Sequence, residues 1–262
     1  MFRIFRPREK TSPVVVGGEI IPKKGARIVW TNDNEFLVVT GFTKQSERTL
    51  SVYRTEDLKK VSSETLNVSP AILIPFYDED SSTLFLQGKG ETTMYCYEVG
   101  LDSPHLFPLS VYKHGGCQGF AFLNNKSAMK VRETEFARAF RLTPTNIEPV
   151  SFSVPRVKTS HFQDDLFPPT RVLWQPALAG VDWLEGRDRN ARWVSLQPAD
   201  LPALSSANNN KETARSEVVV TKATLGPQDK ERMLTTAVSD ILKTSEELEQ
   251  DKMEGVGEEE WD

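Results

Sequence analysis

An aromatic residue followed by a charged one recurs at nearly regular intervals along the first 140 residues. The segments are RIFR, SVYR, YCYE and RAFR, and their aromatic residues Phe5, Tyr53, Tyr97 and Phe140 are 48, 44 and 43 positions apart. Four-stranded propeller blades repeat every roughly 40 to 45 residues and end their third strand with a Trp-Asp pair. The spacing therefore predicts a WD-repeat β-propeller in which other aromatic and charged residues replace that pair.

The sequence between these four aromatic residues, which we call the anchors, is typical of short strands. RIVWT, EFLVVT, AILIPFY and TTMYCYEV are rich in β-branched and aromatic residues, and turn residues cluster in WTNDNE, YDEDSS and FLNNKS. An ordinary β-sandwich is the alternative, but sandwiches rarely repeat one anchor residue. We expect an all-β fold with about three to four blades over residues 1–155.

Because the first of these aromatic residues lies near residue 1, we expect the chain to begin inside the third strand of a blade. We therefore expect it to belong to a longer protein, or to borrow blades from another chain.

The amino-acid composition changes after the last predicted strand. Residues 156–201 combine several prolines with Trp174, Trp183 and Trp193 at irregular spacing, which predicts an extension packed on the propeller. Residues 202–226 are polar and predict a linker. Residues 227–262 predict a disordered acidic tail that contains one short amphipathic helix, because Pro227 is suited to a first turn and apolar residues recur at helical spacing.

Charge is distributed unevenly along the chain. Residues 206–262 contain seven Lys and Arg against fourteen Asp and Glu, a net charge of −7, whereas the preceding residues have a net charge of +2. An acidic tail favours basic partners and argues against nucleic acid.

The two cysteines, Cys96 and Cys117, lack the spacing of a zinc site or a disulfide framework, which indicates a reducing cytosol. No apolar run approaches the roughly 20 residues that span a bilayer.

Several segments together resemble the coronin family. They are RIFRPRE, GFTKQSERTLSVY, PFYDEDSS with GKG, and HFQDDLFPPT after VPR, and the resemblance covers roughly residues 2–200. Short coronins end in a trimeric coiled coil, whereas the acidic, tryptophan-bearing end of this chain is similar to the last part of the long, tandem-propeller members. The resemblance implies a cytoplasmic, cytoskeleton-associated protein with actin filaments or the actin-branching complex as partners. For the long members it also implies a Golgi or vesicle trafficking role, compatible with peripheral membrane association.

The tail supplies the candidate partner-binding residues. It resembles the connector and acidic elements with which nucleation promoters of the Wiskott-Aldrich type engage the branch-forming complex of actin-related proteins. An apolar helical stripe would occupy a groove, while the terminal acids surround a tryptophan anchor. These residues are Met233, Leu234, Ala237, Val238, Ile241, Leu242, Glu258, Glu259, Glu260, Trp261 and Asp262. A coiled coil is the weaker alternative for the helix, since its heptad pattern decays after Leu242.

No catalytic, cofactor-binding or metal-binding constellation stands out in the sequence. Gly88-Lys89-Gly90 lacks the full phosphate-loop pattern and predicts a tight turn between strands. His105, His114 and His161 have no metal-ligand spacing, and Asp164-Asp165 is expected to bond backbone donors. We therefore expect an actin-regulatory interaction protein and not an enzyme. The alternative is a general WD-repeat adaptor that binds other proteins through its propeller and carries a merely solubilising tail.

Overall fold

The computed structural model describes residues 1–8, 12–18, 25–157 and 159–206. Residues Met1–Ser205 form one compact unit, and residues Ser206–Asp262 form a second unit, of which only Ser206 is described. The first unit is built of antiparallel sheets, as the sequence predicts. Within the described residues, no helix is long and apolar enough to cross a membrane.

The first complete sheet has four strands in sequence order. Its strands are β3 (Arg27–Thr31), β4 (Phe36–Phe42), β5 (Glu47–Arg54) and β6 (Lys60–Val68). The predicted turn WTNDNE connects β3 to β4, and Asn32, Asp33 and Asn34 adopt positive φ angles of 52°, 51° and 70°. Asn and Asp tolerate this left-handed conformation better than other non-glycine residues. This sheet is one propeller blade.

The second sheet repeats the same meander and adds a fifth strand. It contains β7 (Leu73–Asp78), β8 (Thr83–Gly88), β9 (Thr93–Val99), β10 (Leu106–Pro108) and β11 (Tyr112–Lys113), with both β10 and β11 paired to β9. Tyr53 and Tyr97 both lie on the third strand of their sheets and are buried. The predicted third-strand anchor is therefore confirmed in these two blades.

The third sheet departs from the four-stranded pattern. It contains β12 (Gly119–Phe122), β13 (Glu135–Leu142) and β14 (Ile147–Ser153). Between β12 and β13 the chain forms two 3₁₀ turns, Lys126–Ala128 and Val131–Glu133, instead of another strand. As a result, Phe140 lies on the middle strand and remains 39% exposed.

A half-blade precedes the three sheets. Strands β1 (Phe2–Ile4) and β2 (Val15–Gly17) pair only with each other, and Phe5 lies just beyond β1 with half of its surface exposed. Phe2 packs with its ring edge toward Tyr53, at 5.0 Å between centroids. The described residues thus form three blades and a half-blade, which confirms the expected partial propeller of three to four blades.

The sheets bury both faces against their neighbours. Along β4, Phe36 and Val38 pack toward the second sheet, while Leu37 and Val39 pack toward the half-blade. Along β8, Leu84 and Leu86 face the first sheet and Phe85 faces the third. Successive side chains of a strand point to opposite faces, so two-sided burial requires continuous apolar runs such as FLVV and LFL. This stacking of sheets is the core of the unit.

The extension contacts the stack of sheets at two places. Phe162, Phe167 and Leu201 pack with Val131 of the second 3₁₀ turn and with Phe136 of β13. Strand β15 (Thr170–Arg171) pairs with β16 (Trp193–Val194). The short helix α1 (Gly180–Leu184) lies beside the half-blade, where the Arg8 guanidinium lies over the Trp183 ring at 5.2 Å. Arg8 also donates to the Asp188 carboxylate at 2.7 Å. The extension therefore contacts both ends of the stack.

Truncation of a side chain between the sheets should be costly. Leu50 is fully buried between the first and second sheets. We expect Leu50→Ala to lower the free energy of unfolding by about 2–5 kcal/mol, measured by urea denaturation, because it removes transfer energy and leaves a cavity. Ile147→Ala is the control, since that side chain is 69% exposed. It should change stability by no more than about 0.5 kcal/mol, and an equal loss in both variants would contradict the assigned core.

Stability should also depend on a buried carboxylate of the third sheet. Burial alone would raise the pKa of Glu135, but hydrogen bonds from Arg138, Ser151 and the Lys130 backbone outweigh it and lower the pKa from 4.5 to about 2. The ionised form therefore stabilises the fold above about pH 4.5, and this contribution is lost as the pH falls toward 2. Unfolding titrations of Glu135→Gln should show a weaker loss of stability across this window than the wild type. Identical pH profiles would rule out the contribution.

Candidate interaction surfaces

The tail residues proposed from the sequence as partner-binding all lie outside the described residues. They are Met233, Leu234, Val238, Ile241, Leu242, Glu258, Glu259, Glu260, Trp261 and Asp262. The structure thus leaves their role a prediction. What it adds is a set of surfaces on the folded unit that sequence analysis did not single out.

A cleft of about 200 Å³ lies where β3, β7, the turn after β12 and β15 meet. Its side chains include Trp30, Asp78, Glu79, Asp80, Lys126 and Arg171, and we call it the acidic cleft. The turn YDEDSS places three consecutive acids at its wall, because β7 ends at Asp78 and β8 begins at Thr83. The extension closes the opposite side through β15.

One of the three acids is neutralised within the cleft. The Lys126 ammonium forms an ion pair with Asp78, and both side chains are nearly buried, at 12% and 11% exposed. Lys126 also donates to the carbonyl oxygen of Phe136 at 2.7 Å, and Asp78 accepts from the backbone N–H of Ser81 at 3.2 Å. This pair fixes the turn of the second sheet to the 3₁₀ turn of the third.

The other two acids lack such a cation. Glu79 accepts a hydrogen bond from the backbone N–H of Asp33 at 2.6 Å. Burial raises the pKa of Asp80, and the Thr170 side chain and Lys126 only partly offset it. Among the described residues, neither Glu79 nor Asp80 forms an ion pair with Lys or Arg. The cleft therefore retains negative charge that the fold does not neutralise.

Aromatic and cationic groups complete the lining of the cleft. Trp30 projects from β3 and is 41% exposed. Arg171 lies on β15, and its buried Nε–H has no hydrogen-bond acceptor in the structure. The sequence signal for this site was the run DED beside a strand, which we interpreted only as a turn.

A second polar cluster joins the first two sheets. Arg48 is 1% exposed, and its guanidinium donates to Glu91 at 2.8 Å and to the Asn67 side-chain oxygen at 2.8 Å. It also lies over the Tyr95 ring at 5.6 Å. Glu91 follows the turn Gly88-Lys89-Gly90, whose Gly90 has a φ of +80°. The predicted tight turn is confirmed, and it serves to present Glu91 to a buried arginine of the neighbouring blade.

The remaining candidates from the sequence have local partners. His114 contacts the Gln87 side-chain oxygen at 3.1 Å, and His105 contacts the Gly100 carbonyl at 3.2 Å. The Asp164 carboxylate accepts from the Ser205 backbone N–H at 3.1 Å, as expected of a backbone acceptor. Burial raises the pKa of the Cys96 thiol to about 11, which disfavours the reactive thiolate. Within the described part of the chain, no three His, Cys, Asp or Glu side chains are grouped to hold a metal ion.

Comparison with known proteins identifies the family. Residues 147–191, from β14 to beyond α1, match a family model described as a type of WD40 repeat. Over 263 residues the chain is 37% identical to coronin-7 of Bos taurus, and over 264 residues it is 36% identical to coronin-7 of Homo sapiens; each match covers 99% of this chain. Coronin-A of Dictyostelium discoideum is 35% identical over 199 residues, which is 74% of this chain and 43% of that protein. The chain belongs to the coronin family.

The structural comparison agrees with this assignment. The crystal structure of the WD40 domain of Toxoplasma gondii coronin superposes with a TM-score of 0.61 at 25% identity, over 69% of this coronin and 47% of that domain. The coronin-7 matches cover 29% and 28% of the lengths of those relatives, in a C-terminal portion. The present coronin thus spans less than a third of the coronin-7 relatives that it matches.

Loss of the interblade carboxylate should destabilise this coronin markedly. Glu91→Gln leaves the buried Arg48 guanidinium without its counterion, and we expect a loss of about 3 kcal/mol in unfolding free energy. The control is Asp200→Asn, which breaks the ion pair with Arg132, whose side chains are 72% and 55% exposed. That exposed pair should contribute about 1 kcal/mol or less. Similar effects of both substitutions in urea denaturation would refute the role of the buried pair.

Proposed function

We propose that this coronin is a non-enzymatic protein of the actin cytoskeleton that engages the actin-branching complex through its acidic tail. The observation that carries the proposal is the family match, which covers 99% of the chain and therefore extends into the tail. The family resemblance implies actin-related partners and a cytoplasmic, cytoskeleton-associated location. A Golgi or vesicle trafficking role, with peripheral membrane contact, is a further part of the proposal that the long members suggest.

The composition of the tail supports docking on a basic surface. Trp261 is flanked in the sequence by Glu258, Glu259, Glu260 and Asp262, and residues 206–262 have twice as many acids as bases. A buried tryptophan at the centre of an interface supplies binding energy, because it removes a large apolar surface from water. The surrounding carboxylates favour encounter with a positively charged partner and set its orientation. Substitution of Trp261 is therefore expected to weaken binding, whereas substitution of the carboxylates is expected to slow association.

The apolar stripe ahead of the acids supports a second contact. Met233, Leu234, Val238, Ile241 and Leu242 recur at the spacing of one helical face. An amphipathic helix can insert such a face into a groove of its partner. We propose that this stripe and the terminal acids bind the complex together, so that their linked binding exceeds that of either element alone.

Substitution of the terminal tryptophan should test the docking role. With the purified full-length chain, Trp261→Ala should weaken binding to the actin-branching complex by about 2–4 kcal/mol, which is about 30- to 1,000-fold in affinity. The measurement is fluorescence anisotropy of the labelled chain titrated with the complex. Trp193→Ala is the matched control, because Trp193 is 56% exposed on the folded unit. It should leave the affinity unchanged.

The contributions of the terminal glutamates and of Trp261 to binding can be measured separately in the same assay. Simultaneous replacement of Glu258, Glu259 and Glu260 by Gln should slow association and reduce the salt dependence of binding. Deletion of residues 227–262 should abolish binding to the actin-branching complex. A deletion that leaves binding intact would overturn the tail proposal and favour the adaptor alternative.

A further inference from the structure

The third sheet, at one end of the described stack, leaves an apolar face exposed. The strand register places Phe140 of β13 between Ala121 of β12 and Pro149 of β14. It also places Leu142 beside Ile147 on the same side of the sheet. Phe140, Leu142 and Ile147 are 39%, 46% and 69% exposed. Because side chains paired across strands contact one another, these residues form one continuous surface, which we call the third-sheet face.

The half-blade presents a similar surface at the other end of the stack. Ile4 and Val15 pack inward, on the side that contacts the first sheet. Alternate residues of a strand point to opposite faces, so Val14 and Val16 lie on the outer side. They are 49% and 48% exposed, and Phe5 beyond β1 is 50% exposed. We call this outer surface the half-blade face.

Inside the stack, faces of this kind are covered by the next sheet. Val38 of β4 packs toward the second sheet, whereas Leu37 of the same strand packs toward the half-blade. Phe85 of β8 packs in the same way toward the third sheet. The third-sheet face and the half-blade face have the same kinds of side chain in the same alternating pattern. Contact between them would continue the packing of the stack and remove apolar surface from water.

The structural comparison supports a second copy of the chain as the source of the covering face. The superposition with the WD40 domain of Toxoplasma gondii coronin covers 69% of the present coronin and 47% of that domain. The aligned part is therefore about half of such a domain, and two copies supply the equivalent of a whole one. Each copy contributes three sheets and a half-blade. Two copies thus have enough blades for a closed propeller, which typically contains about 4 to 8.

We propose that this coronin forms a closed dimer in which the third-sheet face of each copy packs on the half-blade face of the other. The dimer contains two equivalent interfaces related by a two-fold axis, and together they cover both ends of both stacks. Closure limits the assembly to two copies, whereas the same contact without closure would produce an open filament. The interfaces lie on the folded unit and do not involve the tail.

Sedimentation equilibrium of the full-length chain tests the proposal. The chain has a mass of 29.5 kDa, and the average mass should rise with concentration to twice this value and then remain constant. Leu142→Lys and Val16→Lys should each raise the dissociation constant of the dimer by about 100-fold or more, because both interfaces would then bury an unpaired ammonium group. Val68→Lys is the control, since Val68 is 72% exposed on β6, outside both faces. It should leave the dissociation constant unchanged.

A mixture of the two lysine variants tests which faces meet. In a dimer of Leu142→Lys with Val16→Lys, one interface contains both lysines and the other contains only wild-type residues. The mixture should therefore form heterodimers at concentrations where each variant alone is monomeric. Sedimentation velocity with a fluorescent label on one variant detects the heterodimer. If like faces paired with each other instead, Val16→Lys would leave the dimer intact and the proposal would be overturned.

Other results would also overturn the proposal. They are a monomer at every concentration, a dimer that survives both lysine substitutions, and a mass that continues to grow beyond two copies. Survival of both substitutions would assign association to another surface, such as the tail helix. Thermal unfolding verifies that the variants are folded, and Ile147→Lys replaces Leu142→Lys if the latter is not, because Ile147 is the most exposed of the three. The actin-branching complex is absent from these measurements, so the docking of Trp261 is tested separately.

Discussion

Burial of both faces of each strand is the constraint on which the folded unit depends. In the first and second sheets, alternate residues of one strand pack against different neighbouring sheets, as Leu84 and Phe85 do. A sheet held on one face alone would expose its other apolar face to water. The half-blade and the third sheet therefore complete the core of the two blades between them. The ion pair of Arg48 with Glu91 joins the first two layers, and loss of Glu91 would leave a buried guanidinium without its counterion.

The same stacking creates the surfaces available for binding. The turns at one end of the sheets converge with the extension, and the acidic cleft forms where β15 approaches the DED turn. Because this turn is held to the third sheet by Lys126, its acids have fixed positions. The folded unit thus presents a cleft whose acidic side chains have fixed positions.

The sequence predicted the fold better than the surfaces. Periodic aromatic anchors and continuous apolar runs identified the inner strands, because burial leaves a strong compositional signal. The outer strand β6, KVSSETLNV, was missed, since an exposed outer strand keeps polar residues at most positions. The position of Phe140 on a middle strand was missed, because no local sequence pattern predicted that 3₁₀ turns would replace a strand. The acidic cleft required side chains from residues 30, 80 and 171, a proximity that spacing along the chain does not encode.

Hydrogen–deuterium exchange of the full-length chain, alone and with the purified actin-branching complex, tests the central claim most directly. The account predicts slow exchange in β4 and β8 in both samples, because these strands are buried on both faces. It predicts new protection in residues 227–262 only when the complex is present. Fast exchange in β4 and β8 would contradict the stacked core. Protection confined to the blades would contradict docking through the tail.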